Sequence, residues 1–384
     1  MRRSWDIFCS VVDNFGDIGV CWRLARRLSS GLGYGVRLWV DDLESFRRLR
    51  PDIDTGAAAQ RIDNVDVRRW GADFPDVVPA DIVVEGFGVR LPDAYIAAMV
   101  ARKPSPVWIN LEYLSAEAWV DSHHGMQSPH PRLSLTKYFF FPGFTASTGG
   151  ILIEDGLVDA RNALQTDNDG KAAFRRAIGI APSAAATRAE ALWISIFCYE
   201  NAALPGLIAA WADDARRIQC VVPEGRARSQ LERIVGRSLA FGEPVEIGQL
   251  TLHAVPFLAF DDYDRLLWSC DLNLVRGEDS FARAQLAARP LVWQAYPQDA
   301  DAHLKKAAAF SERYMYGMEE AAALSAIRLF DGWNRQAGDC GSEWTNFANH
   351  LATYSTNAVN WAERVVENGD LAVNLAKFCE DRIE

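Results

Sequence analysis

The sequence predicts an α/β fold of two Rossmann-like domains facing across a cleft. Three observations carry that expectation: the length, an alternation of short β-rich runs with helical patterns, and a lapse in that alternation near the middle. The chain has 384 residues, more than the roughly 250 to 300 that one hydrophobic core usually serves. Hydrophobic residues make up 49% and charged residues 24%, the balance of a folded globular chain.

In the first half, β-rich runs at Trp5 to Val12, Val36 to Val40, Ile82 to Glu85 and Val107 to Leu111 are separated by helical patterns. This order predicts βαβ units and a parallel sheet. The first helix, Asp17 to Ser29, repeats Ile18, Cys21, Leu24, Ala25 and Leu28 at three-and-four spacing, with Arg23, Arg26 and Arg27 assigned to a wet face. From 155 to 190 the strand signal lapses and Ala, Thr, Asp and Gly accumulate, which marks a connection. Strand-like runs resume at Leu192 to Phe197, Ile218 to Val222, Leu252 to Val255, Leu272 to Val275 and Leu291 to Trp293. After Ala322 the pattern is helical, with Ser355 to Ile383 readable as one helix returning to the first domain. The expected domains are therefore 1–154 and 191–354, joined by 155–190 and followed by the helical segment 355–384.

The formal net charge of −11 disfavours nucleic acid as a partner, since phosphate backbones are held by clustered Lys and Arg. A cationic side chain or basic peptide suits this surface better. No run of about 18 apolar residues occurs, and Asp6 and Asp13 interrupt the N-terminal segment where a signal peptide needs apolar residues. The expectation is a cytoplasmic protein that does not enter a membrane. The seven cysteines form no C-x-x-C pair and read as reduced core thiols; the six histidines, His123 and His124 among them, lack zinc spacing. No metal site and no cofactor are expected. There is also no Gly-x-Ser-x-Gly elbow and no phosphate-loop lysine motif.

Two turns could carry chemistry. Val12-Asp13-Asn14-Phe15-Gly16-Asp17-Ile18-Gly19 ends the first strand and opens the first helix, the mouth of the crevice in a doubly wound sheet. Two carboxylates there would repel a pyrophosphate, which argues against a dinucleotide, but they suit holding a cation or taking a proton. The structural alternative is that Asp17 caps the helix and Asp13 makes an Asx turn. The second turn runs Arg276-Gly277-Glu278-Asp279-Ser280-Phe281. With Ser280 as N-cap, the free N–H groups behind it and Arg276 would hold a diphosphate. The competing reading is a surface ion pair between Arg276 and Glu278. Phe197, Tyr199 and Phe257 follow strands of the second half, where aromatic faces can stack on a nucleobase. The run Asp261-Asp262-Tyr263-Asp264 reads as the solvated start of a helix.

The strings Trp5 to Cys9, Val12 to Val20, Leu111 to Glu117, Lys137 to Phe144 and Arg276 to Phe281 resemble, in order, the EarP family of bacterial protein-arginine rhamnosyltransferases. The resemblance implies a GT-B glycosyltransferase that moves L-rhamnose from dTDP-β-L-rhamnose to one arginine of translation elongation factor P. It further implies inversion at the anomeric carbon and no metal ion. The first domain would bind the protein acceptor and the second the nucleotide sugar. Carried over by position, Asp13, Asp17 and Glu278 match the essential carboxylates, and Phe197, Tyr199, Phe257, Arg276, Asp279 and Ser280 match donor-binding positions. The same segments add Gly277 and Phe281 to the donor set, and Asn14, Phe15, Gly16, Glu112, Tyr113 and Ser115 to the acceptor set. Phe260 stands where the family is expected to carry a glutamine.

Joined to the chemistry, the resemblance assigns Asp17 to hold the acceptor guanidinium and take a proton, with Asp13 orienting it. Glu278 anchors the donor, and the Ser280 helix terminus with Arg276 stabilises the departing diphosphate. Two rivals share the donor half: a GT-B transferase for another acceptor, such as a lipid or glycan, and a sugar-nucleotide binding module without chemistry. A lipid acceptor calls for an exposed apolar or basic surface near Phe139 to Phe144.

Overall fold

A computed structural model describes residues 3–12, 15–180, 191–337 and 340–383. It divides into two compact units, Met1–Asp155 with Val365–Glu384, and Gly156–Arg364.

The first unit is built on eight strands: β1 (Ser4–Cys9), β2 (Gly35–Val40), β3 (Ala59–Ile62), β4 (Val65–Arg69), β5 (Ile82–Gly86), β6 (Val107–Leu111), β7 (Gln127–Pro129) and β8 (Thr136–Phe140). Their order is β3-β4-β2-β1-β5-β6-β8-β7, with only the β3–β4 and β7–β8 pairs antiparallel. Central strands are covered on both faces, so they read as unbroken apolar runs rather than alternating ones. One face packs Phe8, Trp39, Val83, Tyr95, Met99 and Trp108 into a core cluster. Beside this cluster, fully buried Asp6 accepts from Arg37 Nε and Nη2 at 2.6 and 2.5 Å, from Ala80 N–H at 2.9 Å and from the Tyr95 hydroxyl. That carboxylate is tolerated in the core because its charge is paired and its lone pairs are filled.

Several expectations change here. Arg23, assigned to the wet face of the first helix (Gly16–Arg26), is buried and donates to Glu154 at 2.9 Å. The helix Ser355 to Ile383 is in fact two, Leu351–Glu367 and Leu371–Glu380. Between them Gly369 takes φ +91°, a conformation that L side chains avoid. Asp370 then N-caps the last helix, accepting from Ala372 N–H at 3.2 Å, and also holds Ile153 N–H at 3.1 Å and Arg27 Nε at 2.9 Å. This one carboxylate ties the last helix to the first unit.

The second unit carries β9 (Leu192–Ile196), β10 (Ile218–Pro223), β11 (Val245–Ile247), β12 (Leu250–Val255), β13 (Leu272–Arg276) and β14 (Leu291–Gln294). Their order is β11-β12-β10-β9-β13-β14, parallel except for β11. The segment expected as a connection, 155–190, contains two helices, Leu157–Thr166 and Asn168–Ala177, that lie in this unit. They cap helix ends: Arg161 Nη1 donates to Leu286 O at 2.9 Å, Gln165 Nε2 to Ala287 O at 2.7 Å, and Arg175 Nη2 to Ser269 O at 2.6 Å. The last carbonyls of a helix lack intrahelical partners, so cationic and amide donors there satisfy both hydrogen bonding and the dipole.

Candidate active site

In the first unit, the carboxyl ends of β1, β5 and β6 lie side by side, where ligands bind in open α/β sheets. Asp17 stands in the first turn of the helix after β1 and is fully buried. Its Oδ2 accepts Val12 N–H at 2.9 Å and its Oδ1 accepts the Tyr113 hydroxyl at 3.3 Å. Through these two bonds the buried Asp17 fastens the loop to the β6 end. Asp13 and Asn14 lie outside the described residues. Tyr113 in turn stacks on Phe87 with centroids 4.5 Å apart and planes 13° from parallel. Phe87 adopts φ +60° and donates its N–H to Leu111 O at 2.7 Å. Sequence reasoning missed Phe87, although Gly86-Phe87-Gly88 at a strand end is a turn signal. Gly86 itself is required, since a Cβ there would meet Cys21 Sγ at 2.7 Å and Phe8 O at 3.0 Å.

Of the other acceptor candidates, Phe15 and Gly16 form the helix start, with Gly19 N–H donating to Phe15 O at 2.9 Å and the Arg48 guanidinium 5.7 Å over the Phe15 ring. Glu112 accepts from Asn110 Nδ2 at 2.5 Å. Ser115 is buried and closes its own turn, its Oγ accepting Glu117 N–H at 3.1 Å. Beside this edge an open cavity of about 440 Å³ is lined by Trp70, Phe74, Arg90, Leu91, Pro92 and Asp93 among others. Trp70 Nε1 donates to Cys9 O at 3.0 Å, fixing the cavity wall to the end of β1.

In the second unit, Arg276 ends β13 and is only 7% exposed. Its guanidinium lies 4.7 Å from the Phe197 ring centroid and 4.4 Å from that of Tyr199. Arg276 therefore lies inside the unit, against two aromatic rings, and is not a surface residue. Gly277 takes φ +65° and its carbonyl accepts Trp293 Nε1 at 3.0 Å. The chain then enters helix Asp279–Leu286 with Glu278 at the cap position, so Ser280 is in the first turn and is not the N-cap. Ser280 is already the second residue of the helix. Phe257 is half-buried beyond the end of β12. Phe281 is a core residue: it stacks on Trp293 at 3.9 Å and 10° and is 1% exposed. Phe260 is likewise buried. The acidic run 261–264 is solvated only in part, because Asp264 accepts Arg283 Nε and Nη2 at 2.9 and 2.7 Å inside the unit. Such a bidentate pair joins two helices across 19 residues of sequence.

All seven cysteines are free and buried. Among the described residues no group of three His, Cys, Asp or Glu side chains could hold a metal ion, and no helix is long and apolar enough to cross a membrane.

A family profile described as Elongation-Factor P (EF-P) rhamnosyltransferase EarP matches residues 5–380. The chain belongs to the EarP family. It is similar to the protein-arginine rhamnosyltransferase of Pseudomonas putida, at 44% identity over 98% of this chain and 99% of that one. A solved structure on EarP-mediated arginine glycosylation of translation elongation factor EF-P superimposes with a TM-score of 0.70 at 32% identity, covering 99% of both chains. The fold extends further: Anabaena HepE in complex with UDP-glucose gives a TM-score of 0.52 at 10% identity over 99% of each chain. The architecture is GT-B, and this member of the EarP family is a glycosyltransferase.

Proposed function

We propose that this chain transfers L-rhamnose from dTDP-β-L-rhamnose to an arginine side chain of elongation factor P, with inversion and without a metal ion. The observation that carries the reading is the buried Arg276 guanidinium set against Phe197 and Tyr199 at the mouth of a glycine turn. In a chain matched to the EarP family from residue 5 to 380, that arrangement supports a site for a nucleoside diphosphate sugar. An arginine desolvated on aromatic faces gains most from an anionic ligand. Glu278 and Asp279 are assigned to the sugar side, Phe257 to the base.

The acceptor guanidinium stays protonated in water, so it needs a base as the bond forms. One guanidinium nitrogen attacks the anomeric carbon, the bond from that carbon to the β-phosphate oxygen breaks, dTDP leaves, and the nitrogen's proton passes to Asp17. Asp17 now accepts hydrogen bonds from Val12 N–H and the Tyr113 hydroxyl. A guanidinium offers the same kind of donor and adds charge, so it binds to the remaining lone pairs of Asp17 more strongly than a neutral donor does. Asp13 orients the acceptor, and Asn14, Phe15, Gly16, Glu112, Tyr113 and Ser115 frame it.

The test is to incubate purified protein with dTDP-rhamnose and its own elongation factor P, then seek one added deoxyhexose on arginine by mass spectrometry. A single adduct on one arginine is expected; no adduct, with donor still bound, would leave only a sugar-nucleotide binding module. A lipid acceptor is not favoured, because Phe140, Phe141 and Phe144 are buried.

A further inference from the structure

Gln294 is the last residue of β14, is 1% exposed, and pairs in register with Arg276 of β13. Its side-chain Oε1 accepts Tyr199 N–H at 2.9 Å. Because β13 lies between β9 and β14, this bond reaches past the end of the Arg276 strand to the segment that follows β9. A backbone N–H can only donate, so the amide orientation is settled: oxygen toward Tyr199, nitrogen away from it. That nitrogen is buried and has no hydrogen-bond partner among the described residues. The flanking backbone is rigidly held. Asn334 Nδ2 donates to Trp293 O at 2.8 Å, and its Oδ1 accepts Ala295 N–H at 2.9 Å. The strand end therefore cannot relax to satisfy the amide, and an unsatisfied buried donor calls for an explanation.

Resting on the donor site proposed above, we infer that Gln294 is a donor-recognition residue: its oxygen fixes Tyr199 beside Arg276, and its NH₂ donates to a diphosphate oxygen of the nucleotide sugar. The two halves of one amide thus link the aromatic wall of the site to its anion. Tyr199 is held from below by this bond and flanked by the Tyr296 ring at 5.5 Å. Moving Gln294 would disturb both the stacking of Tyr199 on the Arg276 guanidinium, now 4.4 Å apart, and the phosphate contact.

The experiment compares wild type, Gln294→Leu and Gln294→Glu by calorimetric titration with dTDP-rhamnose and dTDP, and with thymidine through its competition with dTDP. Thermal melting checks the fold, and initial rates separate KM from kcat. Leucine removes both contacts with little change in volume. Glutamate keeps an oxygen for Tyr199 N–H but brings a negative charge to the diphosphate. The expected result for Gln294→Leu is a donor Kd and KM raised about tenfold, with thymidine affinity unchanged and kcat within about threefold. Gln294→Glu should lose more affinity for dTDP than Gln294→Leu does. Equal losses for all three ligands, or none, would overturn the inference and leave Gln294 a structural tether at most. Failure of wild type to bind dTDP-rhamnose would instead defeat the donor reading itself, and this inference with it.

Discussion

A carboxylate that is buried and hydrogen-bonded can still take a further donor or a proton, because its two oxygens carry about four lone pairs. Asp17, the proposed base, receives one of its bonds from Val12, an exposed residue on the loop it fastens. Asp17→Asn keeps an oxygen for Val12 N–H, so folding and donor binding should persist while proton transfer fails. The expected outcome is a fall in turnover of about 10² to 10⁴, read as the rate of deoxyhexose addition at saturating donor. Near-normal turnover would move the base elsewhere. On the donor side, Arg276→Lys retains the charge but not the plane that lies against Phe197 and Tyr199. A compact ammonium neither stacks in this way nor offers a fork to phosphate. Affinity for dTDP should drop about tenfold with melting temperature little changed, which titration calorimetry can check. Arginine was legible at this position as the residue before a glycine turn. Its burial between rings was not, because Phe197 and Tyr199 come from a strand end nearly 80 positions earlier in the sequence.

At the scale of elements, the break before the last helix decides where the C-terminal segment goes. Gly369 sits at φ +91°, and an added Cβ would meet Asn374 Nδ2 at 3.1 Å. Gly369→Ala should therefore cost about 1 to 2 kcal/mol and lower the melting temperature by a few degrees, without changing donor affinity. Donor affinity that falls in step with stability would tie this break to the second unit instead. The sequence carried the necessary signal, since Asn368-Gly369-Asp370 is a helix stop followed by an N-cap, yet periodicity on both sides reads as one helix. Buried strands such as β1, β5, β10 and β13 were legible because parallel strands covered on both faces are apolar runs. The edge strands β3 and β7 were not. β3 has no buried residue and β7 is wholly exposed, so neither shows an apolar pattern. The turn between β3 and β4 was nevertheless encoded, with Asp63 and Asn64 at φ +45° and +65°, the two-residue hairpin that favours Asn and Asp. Pairings such as Asp264 with Arg283, and the caps that Arg161 and Gln165 supply, stayed hidden because they follow from packing and not from local pattern.

For the whole molecule, pH sensitivity separates histidines from carboxylates. His253 lies in β12, 4% exposed, stacked on Trp193 at 5.8 Å and donating Nε2–H to Gln219 Oε1 at 2.7 Å. The Gln219 amide is oriented by its own donation to Thr251 Oγ1 at 3.3 Å, so its oxygen faces the imidazole and the ring stays a neutral donor. Burial, helped by the nearby Arg175 charge, pushes the His253 pKa down to about 4 from an ordinary 6.5. Burial lowers that of His124 as well. A base that the folded state refuses to protonate contributes full stability above its unfolded pKa. Below that point the unfolded chain binds a proton that the native chain excludes, so stability falls as pH drops from about 6.5 toward 4. For His253 the loss over that window is on the order of 3 kcal/mol. Asp81 and Asp214 have carboxyl groups held below the ordinary value by donors from Ser4 and Arg102 and from Arg216 and Trp344. Their contribution is lost only as pH falls below about 4, beneath the interval from 6.5 to 5 in which His253 and His124 act. Urea midpoints of wild type should decline steadily through that interval, and His253→Gln, which can still donate to Gln219, should flatten the decline while His124 keeps a residue of it. Parallel declines for both proteins would show that His253 titrates with its surroundings already open to water, contrary to its packing between Trp193 and Gln219.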